Sequence, residues 1–505
     1  MAGDIQFRGN DVKKMTSAAA VAALACALLG PQIASAKGPV TLDAPAAPAL
    51  VLAKVPEGKR IEFSAFPWDL QEGRTENPVM TYTQEIPGNE EMGQEPGSIT
   101  YTVAMDWIEV EKDGDDAATV RFSPDQVVIF DAQGGSEGES MSFEVDVTMP
   151  GNEFRFTREG ELTKYEGGAD GFTMNVDTPE ALAEQGGKLR YDVVAEDIAI
   201  KGEGTTGMDL SNLAEADARY EYEVGSMTLE FDVMPPPKTD EEIAEIEAMN
   251  KEFEEMGLDP ISTEPEPPVV GKGTMGRLVA TGGIGGGVIE GTNEASDVRF
   301  EIAQPMPFEV GMKSMKTDVA FPTAPAEEPQ DVRYMFSMEG IELSEGVWAM
   351  MDPEEALPRE LNRLVVDLGM KMMVMKPLLD PQAMAQSDPM GPPPMMPTAV
   401  TINEIAFDGL GLTVDAEGEG DMTGAEGPGG QALISVGGFE DFIKNAQNAG
   451  MFGEMEAAMA QGMAAQFGEE KDGKLVFDVK TEDGMIVVNG TPVAPLGGGG
   501  MAPPE

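Results

Sequence analysis

Residues 227–233 read Met227-Thr228-Leu229-Glu230-Phe231-Asp232-Val233, with apolar and polar side chains in strict alternation. Successive side chains of a strand point to opposite faces, so a period of two describes a strand with one buried face and one wet face. The same beat recurs in both directions. Upstream are Ile61, Phe63 and Ala65, then Met141, Phe143, Val145 and Val147, then Tyr191 with Val193 and Ile198 with Ile200. Downstream are Val298, Phe300 and Ile302, followed by Phe308, Val310 and Met312. Turn residues, often Gly with Asp, Asn or Glu, separate the runs at short intervals. The pattern predicts a mainly β protein built on an elongated, curved, antiparallel sheet.

Three stretches interrupt the alternation. Residues 235–268 open on Pro235-Pro236-Pro237 and close on Pro265, Pro267 and Pro268. Between them Thr239 and Glu242 form a capping box, and Ile243, Ile246, Met249, Phe253 and Met256 follow at helical spacing before Gly257. This predicts an acidic amphipathic helix in a proline-flanked insert. Pro322–Pro329 is a short loop, and 387–398, with Ser387-Asp388-Pro389-Met390 and Pro392-Pro393-Pro394, is predicted as a linker. Near the C-terminus Phe439, Phe442, Ile443 and Ala446 mark one helix, and Met455, Met459, Met463 and Phe467 mark a second. Leu475, Phe477 and Val479 then resume the sheet, with tight turns at Asp483-Gly484 and Asn489-Gly490. The resulting division is a leader (1–36), an N-terminal β region (37–234), the insert (235–268), a second β region (269–386), the linker (387–398), a C-terminal β region with a helical hairpin (399–496), and a disordered tail (497–505).

The leader carries Lys13 and Lys14, an apolar run from Ser17 to Leu29, the breaker Gly30-Pro31, and Ala34-Ser35-Ala36. That order is the layout of a secretory signal peptide. A membrane anchor needs about 20 apolar residues, more than this run holds. Cys26, the only cysteine, falls inside the run with Ala23 three positions before it, which argues against a lipoprotein site. The expected product is a periplasmic protein, soluble after cleavage and without disulfides.

Composition narrows the chemistry. The chain has 91 acidic and 33 basic residues and a formal net charge of −58. Such a surface repels phosphates, so nucleic acid is not an expected partner. Histidine is absent, which removes the usual triads, the commonest general base and most zinc sites. Gly282-Gly283 and Gly285-Gly286-Gly287 lack the Lys-Ser/Thr and helix of a phosphate loop and read as a turn. No catalytic residue, cofactor or specific metal site is expected. Asp113, Asp115 and Asp116, and Asp415, Glu417, Glu419 and Asp421, read as acidic Gly-containing turns open to weak calcium binding. Methionine is in excess at 36, with clusters at Met370, Met372, Met373 and Met375 and at Met390, Met395 and Met396. Thioethers suit copper(I), and they also fill irregular apolar grooves.

Several phrases resemble an uncharacterised family of exported alphaproteobacterial proteins, domain-of-unknown-function family 2125. They are Phe66-Pro67-Trp68, the run from Met338-Glu339-Gly340-Ile341 through Asp352-Pro353 to Leu357-Pro358-Arg359, then Leu379-Asp380-Pro381, and the helix pair with its Asn489-Gly490 hairpin. The resemblance implies no catalytic residue. It implies a distant similarity to AsmA-like envelope proteins, with a curved sheet forming an apolar groove, and hence a non-enzymatic binding or scaffold role toward lipid or another envelope protein. A carboxylate- or calcium-dependent hydrolase and a methionine-based copper binder are the alternatives. Phe439, Phe442, Ile443, Met455, Met459, Met463 and Phe467 are expected to dock on the sheet, as core or as a lid over a ligand.

Overall fold

The computed structural model describes residues 59–60, 67–68, 70–86, 97–133, 140–178, 183, 186–205, 217–256, 260–265, 267–305, 307–379, 393–423, 429–482 and 484–495. The leader, the Ile61–Ala65 alternation, Met390 and the tail 497–505 lie outside these residues.

Among the described residues, 25 strands join into one sheet. Its pairings are antiparallel except where Lys59–Arg60 runs parallel to Pro78–Val79. The strand Leu162–Val176 is a fork. Its first half pairs with Glu153–Glu159 and its last residues with Val145–Thr148. One branch continues through Ala117–Phe122 and Trp107–Lys112 to Gly73–Glu76. The other continues through Asp125–Gln133 and Gly97–Met105 to Pro78–Ile86. Met80 and Met105 from the second branch share a core with Ile108, Val110, Val120, Phe154 and Phe156 from the first. The two branches therefore close on each other as an N-terminal module.

Beyond the fork the chain is a meander of long strands, such as Lys188–Thr205, Ala218–Met234, Val288–Gln304, Phe308–Pro322, Gln330–Leu343 and Leu361–Val374. The regular pairing breaks at one level in all of them. The unpaired positions Asp170, Asp197, Gly225, Gly276-Arg277, Asp297, Lys313, Gly340 and Asn362 fall opposite one another, forming a seam across the sheet. Asp197, Asp297 and Gly340 have φ of 53, 51 and 59°, a region that Gly, Asp and Asn enter most readily. Side chains and glycines interlock along the seam. A Cβ on Gly225 would lie 2.9 Å from that of Asp197, and one on Gly340 would lie 2.7 Å from Lys313 Cδ.

The seam has a sequence cause. In Ala195-Glu196-Asp197-Ile198, two polar residues stand where alternation allows one, and the same holds in Val224-Gly225-Ser226-Met227, Ala295-Ser296-Asp297-Val298, Met312-Lys313-Ser314-Met315 and Met338-Glu339-Gly340-Ile341. A one-residue slip in a regular strand would turn every following apolar side chain to the wrong face. The break absorbs the extra residue as a bulge does. Ala195 and Val193 before the slip accordingly share one cluster with Val224, and Ile198, Tyr222, Met227 and Leu229 pack against it.

The helices occupy one end of the strands. The insert helix Asp240–Met256 follows Met234, a short helix Glu345–Met351 follows Leu343, and the hairpin helices Phe439–Asn448 and Glu454–Phe467 follow Gly437. The register places these strand ends on the same rim. The helix 345–351 was not signalled by the sequence reading. The opposite rim carries hairpins, including a turn with both Gly286 and Gly287 at positive φ, and the loop after Pro322. Two expectations are corrected. Met395 and Met396, assigned to a linker, begin the strand Met395–Gly409 and pair with Val374 and Met373, so strand pairing overrides the proline-rich context. Asp415, Glu417, Glu419 and Asp421 lie along the strand Leu412–Asp421, not in a turn.

The seam makes a stability prediction. Asp297→Val forces a β-branched residue to φ near +50° and should cost about 1–3 kcal/mol in urea unfolding, while Asp297→Gly should cost clearly less. Equal losses would show that backbone conformation is not what the seam requires.

Candidate functional site

The seam leaves one face of the meander apolar on both sides of it. One row of register partners runs Ala169, Ile198, Val224, Leu278, Ala295, Met315, Met338, Leu364 and Phe407. Across the seam, Phe172, Ala195, Met227 and Met275 form the flanking row, which Val298, Met312, Ile341 and Leu361 extend at the same level. Burial is graded along this face. Phe172, Met174, Val193 and Ala195 are buried under the N-terminal module. Further along, Phe308, Val310, Met312, Met315 and Met338 are half-buried, and Phe300, Val319 and Tyr334 are exposed. Met227, Met275, Met312, Met315 and Met338 thus line the two rows beside the seam, a grouping invisible in chain order because they come from four strands, with Met312 and Met315 on either side of the seam in one of them.

Nearer the helical rim, aromatic rings form a ladder. Tyr191 and Phe231 lie 6.3 Å apart, Phe231 and Phe300 6.1 Å, and Phe300 and Phe308 5.9 Å. The intervening strand offers Gly271 and Gly273 at this level. A Cβ on Gly271 would overlap the Phe231 ring, so glycine here lets the aromatic contact close over the backbone. Tyr222 lies on the same face, and burial pushes its hydroxyl pKa up.

The other face is charged. Lys201–Glu221, Lys272–Glu230 and Lys371–Asp331 are directly opposed ion pairs at 2.9, 2.7 and 2.6 Å, and Arg277 meets Glu223 at 2.6 Å. Hydrogen bonds from Arg277 and from Lys272 hold the Glu223 and Glu230 carboxyls below the usual range. The Thr423 backbone N–H and hydroxyl do the same for Asp421. An open hollow of about 500 Å³ on this side is lined by Arg155, Lys164, Lys201 and Arg219 together with Glu159, Glu166, Glu203 and Glu221. Its charges balance, so it selects neither sign of ligand. Among the described residues, no group of three or more Asp, Glu, His or Cys side chains is arranged to hold a metal ion.

The helical rim is built around the phrase Asp352–Arg359. The Asp352 carboxylate is fully buried and accepts the backbone N–H groups of Ala356 and Leu357 at 2.8 and 2.7 Å. Trp348 is buried beside it, and the Arg359 guanidinium sits 5.7 Å from its ring while pairing with Glu345. Leu357 then receives Ala446 of the first hairpin helix and Ala449 at its C-cap, with Phe442 and Phe452 packed around them. At the far end, Asn489 donates to the Phe467 and Val476 carbonyls at 2.7 and 2.8 Å, which ties the second helix to the sheet.

The seven residues expected to dock are divided by this packing. Ile443 is buried, and Phe439, Phe442 and Phe467 are half-buried. Met455, Met459 and Met463 are 82, 64 and 55% exposed, and the buried stripe of their helix is Ala457 and Ala464. The smaller alanines allow closer approach of the helix, and the methionines turn outward. The apolar stripe read from sequence was real, but its direction followed from the alanine face beside it.

Two measurements check these assignments. Ile443→Ala should cost about 2–4 kcal/mol, whereas Met459→Ala should change stability by no more than about 0.5 kcal/mol. The ion pairs give a pH signature. Glu223 and Glu230 have folded-state pKa values below their unfolded ones, so their contribution is present above the ordinary carboxylate range and is lost as pH falls through the folded values. Glu230→Gln should therefore flatten the fall in urea midpoint between about pH 5 and about pH 3; an unchanged slope would mean that the pair contributes nothing.

Among the described residues, no helix is long and apolar enough to cross a membrane. Neither a curated protein nor a solved structure is matched by the chain. Residues 291–497 match the family described as "Uncharacterized protein conserved in bacteria (DUF2125)". The matched segment includes the Asp352–Arg359 phrase, the helical hairpin and the Asn489-Gly490 turn, while Phe66-Pro67-Trp68 precedes it. Residues 291–497 therefore form a DUF2125 domain, made of the C-terminal part of the meander, the helix Glu345–Met351 and the two hairpin helices.

Proposed function

We propose that this chain is a non-enzymatic envelope protein that holds an acyl chain along the apolar face of its sheet. The observation that carries the reading is the continuity of that face across the seam, half-exposed from Ala218–Met234 through Leu361–Val374. Two consecutive outward-facing residues at the seam lengthen the charged side of each strand relative to the apolar side. That difference bends the strands toward the apolar side, giving an AsmA-like groove that crosses the strands. Six strand positions at a spacing of about 4.8 Å make it roughly 24 Å long, enough for a single acyl chain, since two leaflets share the roughly 30 Å hydrocarbon core of a bilayer. The N-terminal module closes one end, so a ligand enters from the C-terminal side. Methionines beside the seam suit an apolar ligand of irregular shape, and the acidic outer face keeps the groove protein dispersed in water. Export by the leader places it in the periplasm, where acyl lipids are at hand.

Lipid extraction of protein purified from its own host should yield bound phospholipid or fatty acid, and the purified protein should take up a fluorescent fatty acid. Phe300→Asp with Met312→Asp, both on half-open parts of the face, should lower that uptake at least roughly ten-fold with the fold intact by circular dichroism. Folded wild-type protein that carries no lipid and takes up no probe would overturn the reading.

A further inference from the structure

The apolar face contains a polar notch that an acyl chain alone would not satisfy. Two residues along each strand from Ala295, Met315 and Met338, toward the rim of hairpins, a row of register partners runs Tyr222, Ala280, Asn293, Thr317 and Phe336. Asn293 Nδ2 donates to the Thr317 hydroxyl oxygen at 3.2 Å, which leaves the Asn293 carbonyl and the Thr317 O–H for another partner. Two residues further on, the next row runs Tyr220, Gly282, Gly291, Val319 and Tyr334. Its glycines make the notch. A Cβ on Gly282 would lie 2.5 Å from the Tyr220 hydroxyl, so the phenol lies over that glycine. A Cβ on Gly291 would meet only backbone atoms within 4 Å, so the space above it is free of side chains. Tyr222 stacks beside Tyr220 with ring centroids 6.2 Å apart, and Tyr334, on the far side, is 43% exposed. We propose that this notch seats the uncharged, hydroxyl-bearing head of a single-chain amphiphile, the chemistry of a monoacylglycerol, whose acyl chain lies along the methionine rows. The assignment rests on the acyl-groove reading and adds a head group to it.

The side chains select that head. Asn, Thr and Tyr offer donors and acceptors together, which match the hydroxyl and ester oxygens of a glycerol ester. Neither row contains Lys, Arg, Asp or Glu. The charges of these strands, such as Glu221, Glu290 and Asp318, alternate onto the other face. A carboxylate or phosphate in the notch would leave water with no cation to meet it, a costly transfer. The net charge of −58 adds to the rejection of anions. A ligand of hydrocarbon alone would cover the Asn293 carbonyl without pairing it, which also costs free energy. Burial raises the Tyr222 pKa, which keeps that phenol neutral and able to donate.

Displacement of a fluorescent acyl probe from the full chain tests this with three ligands of one chain length: 1-monooleoylglycerol, methyl oleate and oleate. The measurement is made at about pH 8, where a fatty-acid carboxyl is ionised. The wild type should bind the glycerol ester at least roughly ten-fold more tightly than oleate. It should also prefer it to methyl oleate, which is neutral but has no hydroxyl. Asn293→Leu with Thr317→Val should bring the glycerol ester and methyl oleate within about two-fold of each other. Tyr220→Phe, which removes one oxygen and keeps the ring over Gly282, should lower the same preference several-fold. Circular dichroism and the melting temperature show whether each variant is folded. Equal binding of the three ligands by the wild type, or tighter binding of oleate, would overturn the head-group assignment and leave the acyl groove standing. A preference for the glycerol ester that survives in both variants would do the same. Folded wild-type protein that binds none of the three would overturn the groove and the assignment with it.

Discussion

Everything in the meander depends on keeping one face of very long strands apolar past a slip in the alternation. A strand has no tolerance for such a slip, because its side-chain period is two and each inserted residue inverts all that follow. Here the slip is present in strand after strand, and it is absorbed at one level by a row of residues that tolerate positive φ or the absence of a side chain: Asp197, Gly225, Asp297 and Gly340. The break in one strand alone would disrupt its ladder. Aligned across the sheet, the breaks match one another, so the pairing resumes in the same register on the far side, as Ala195↔Met227 and Ile198↔Val224 show.

This arrangement separates two surfaces. The charged face carries cross-strand ion pairs, all of them at least partly solvated, and each worth little by itself. Their role is to neutralise part of a large acidic surplus, so that 91 acidic side chains can coexist on one folded chain. The apolar face is stabilised by burial where the N-terminal module covers it and is progressively uncovered beyond Ala218–Met234. A sheet that hides its apolar side at one end and offers it at the other is suited to receive something apolar.

The rim helices are held by different means. Asp352 spends a fully buried carboxylate on two backbone N–H groups, which fixes the loop that carries Leu357 into the hairpin helices. The alanines of those helices provide close contact, and the larger methionines of the same helix are left outside. The polar anchor, rather than a large apolar area, positions this end of the domain.

The mainly β character, the antiparallel meander, the insert helix, the helical hairpin and the Asn489-Gly490 turn were all legible in the sequence, because period, capping and turn chemistry are local properties. So was the family likeness in the C-terminal part. The seam was also written there, as two polar or glycine residues between apolar ones in Val224-Gly225-Ser226-Met227 and its counterparts. No single strand reveals that these slips align, because alignment is a property of register between strands far apart in the chain. For the same reason the methionines that share the apolar face, Met227, Met275, Met312, Met315 and Met338, are spread over four strands, while the dense run Met370, Met372 and Met373 is divided between the faces of one strand. The direction of the Met455–Met463 stripe was decided only by tertiary packing. A helix with two apolar stripes can bury either, and here the alanine side approached the rest of the protein more closely.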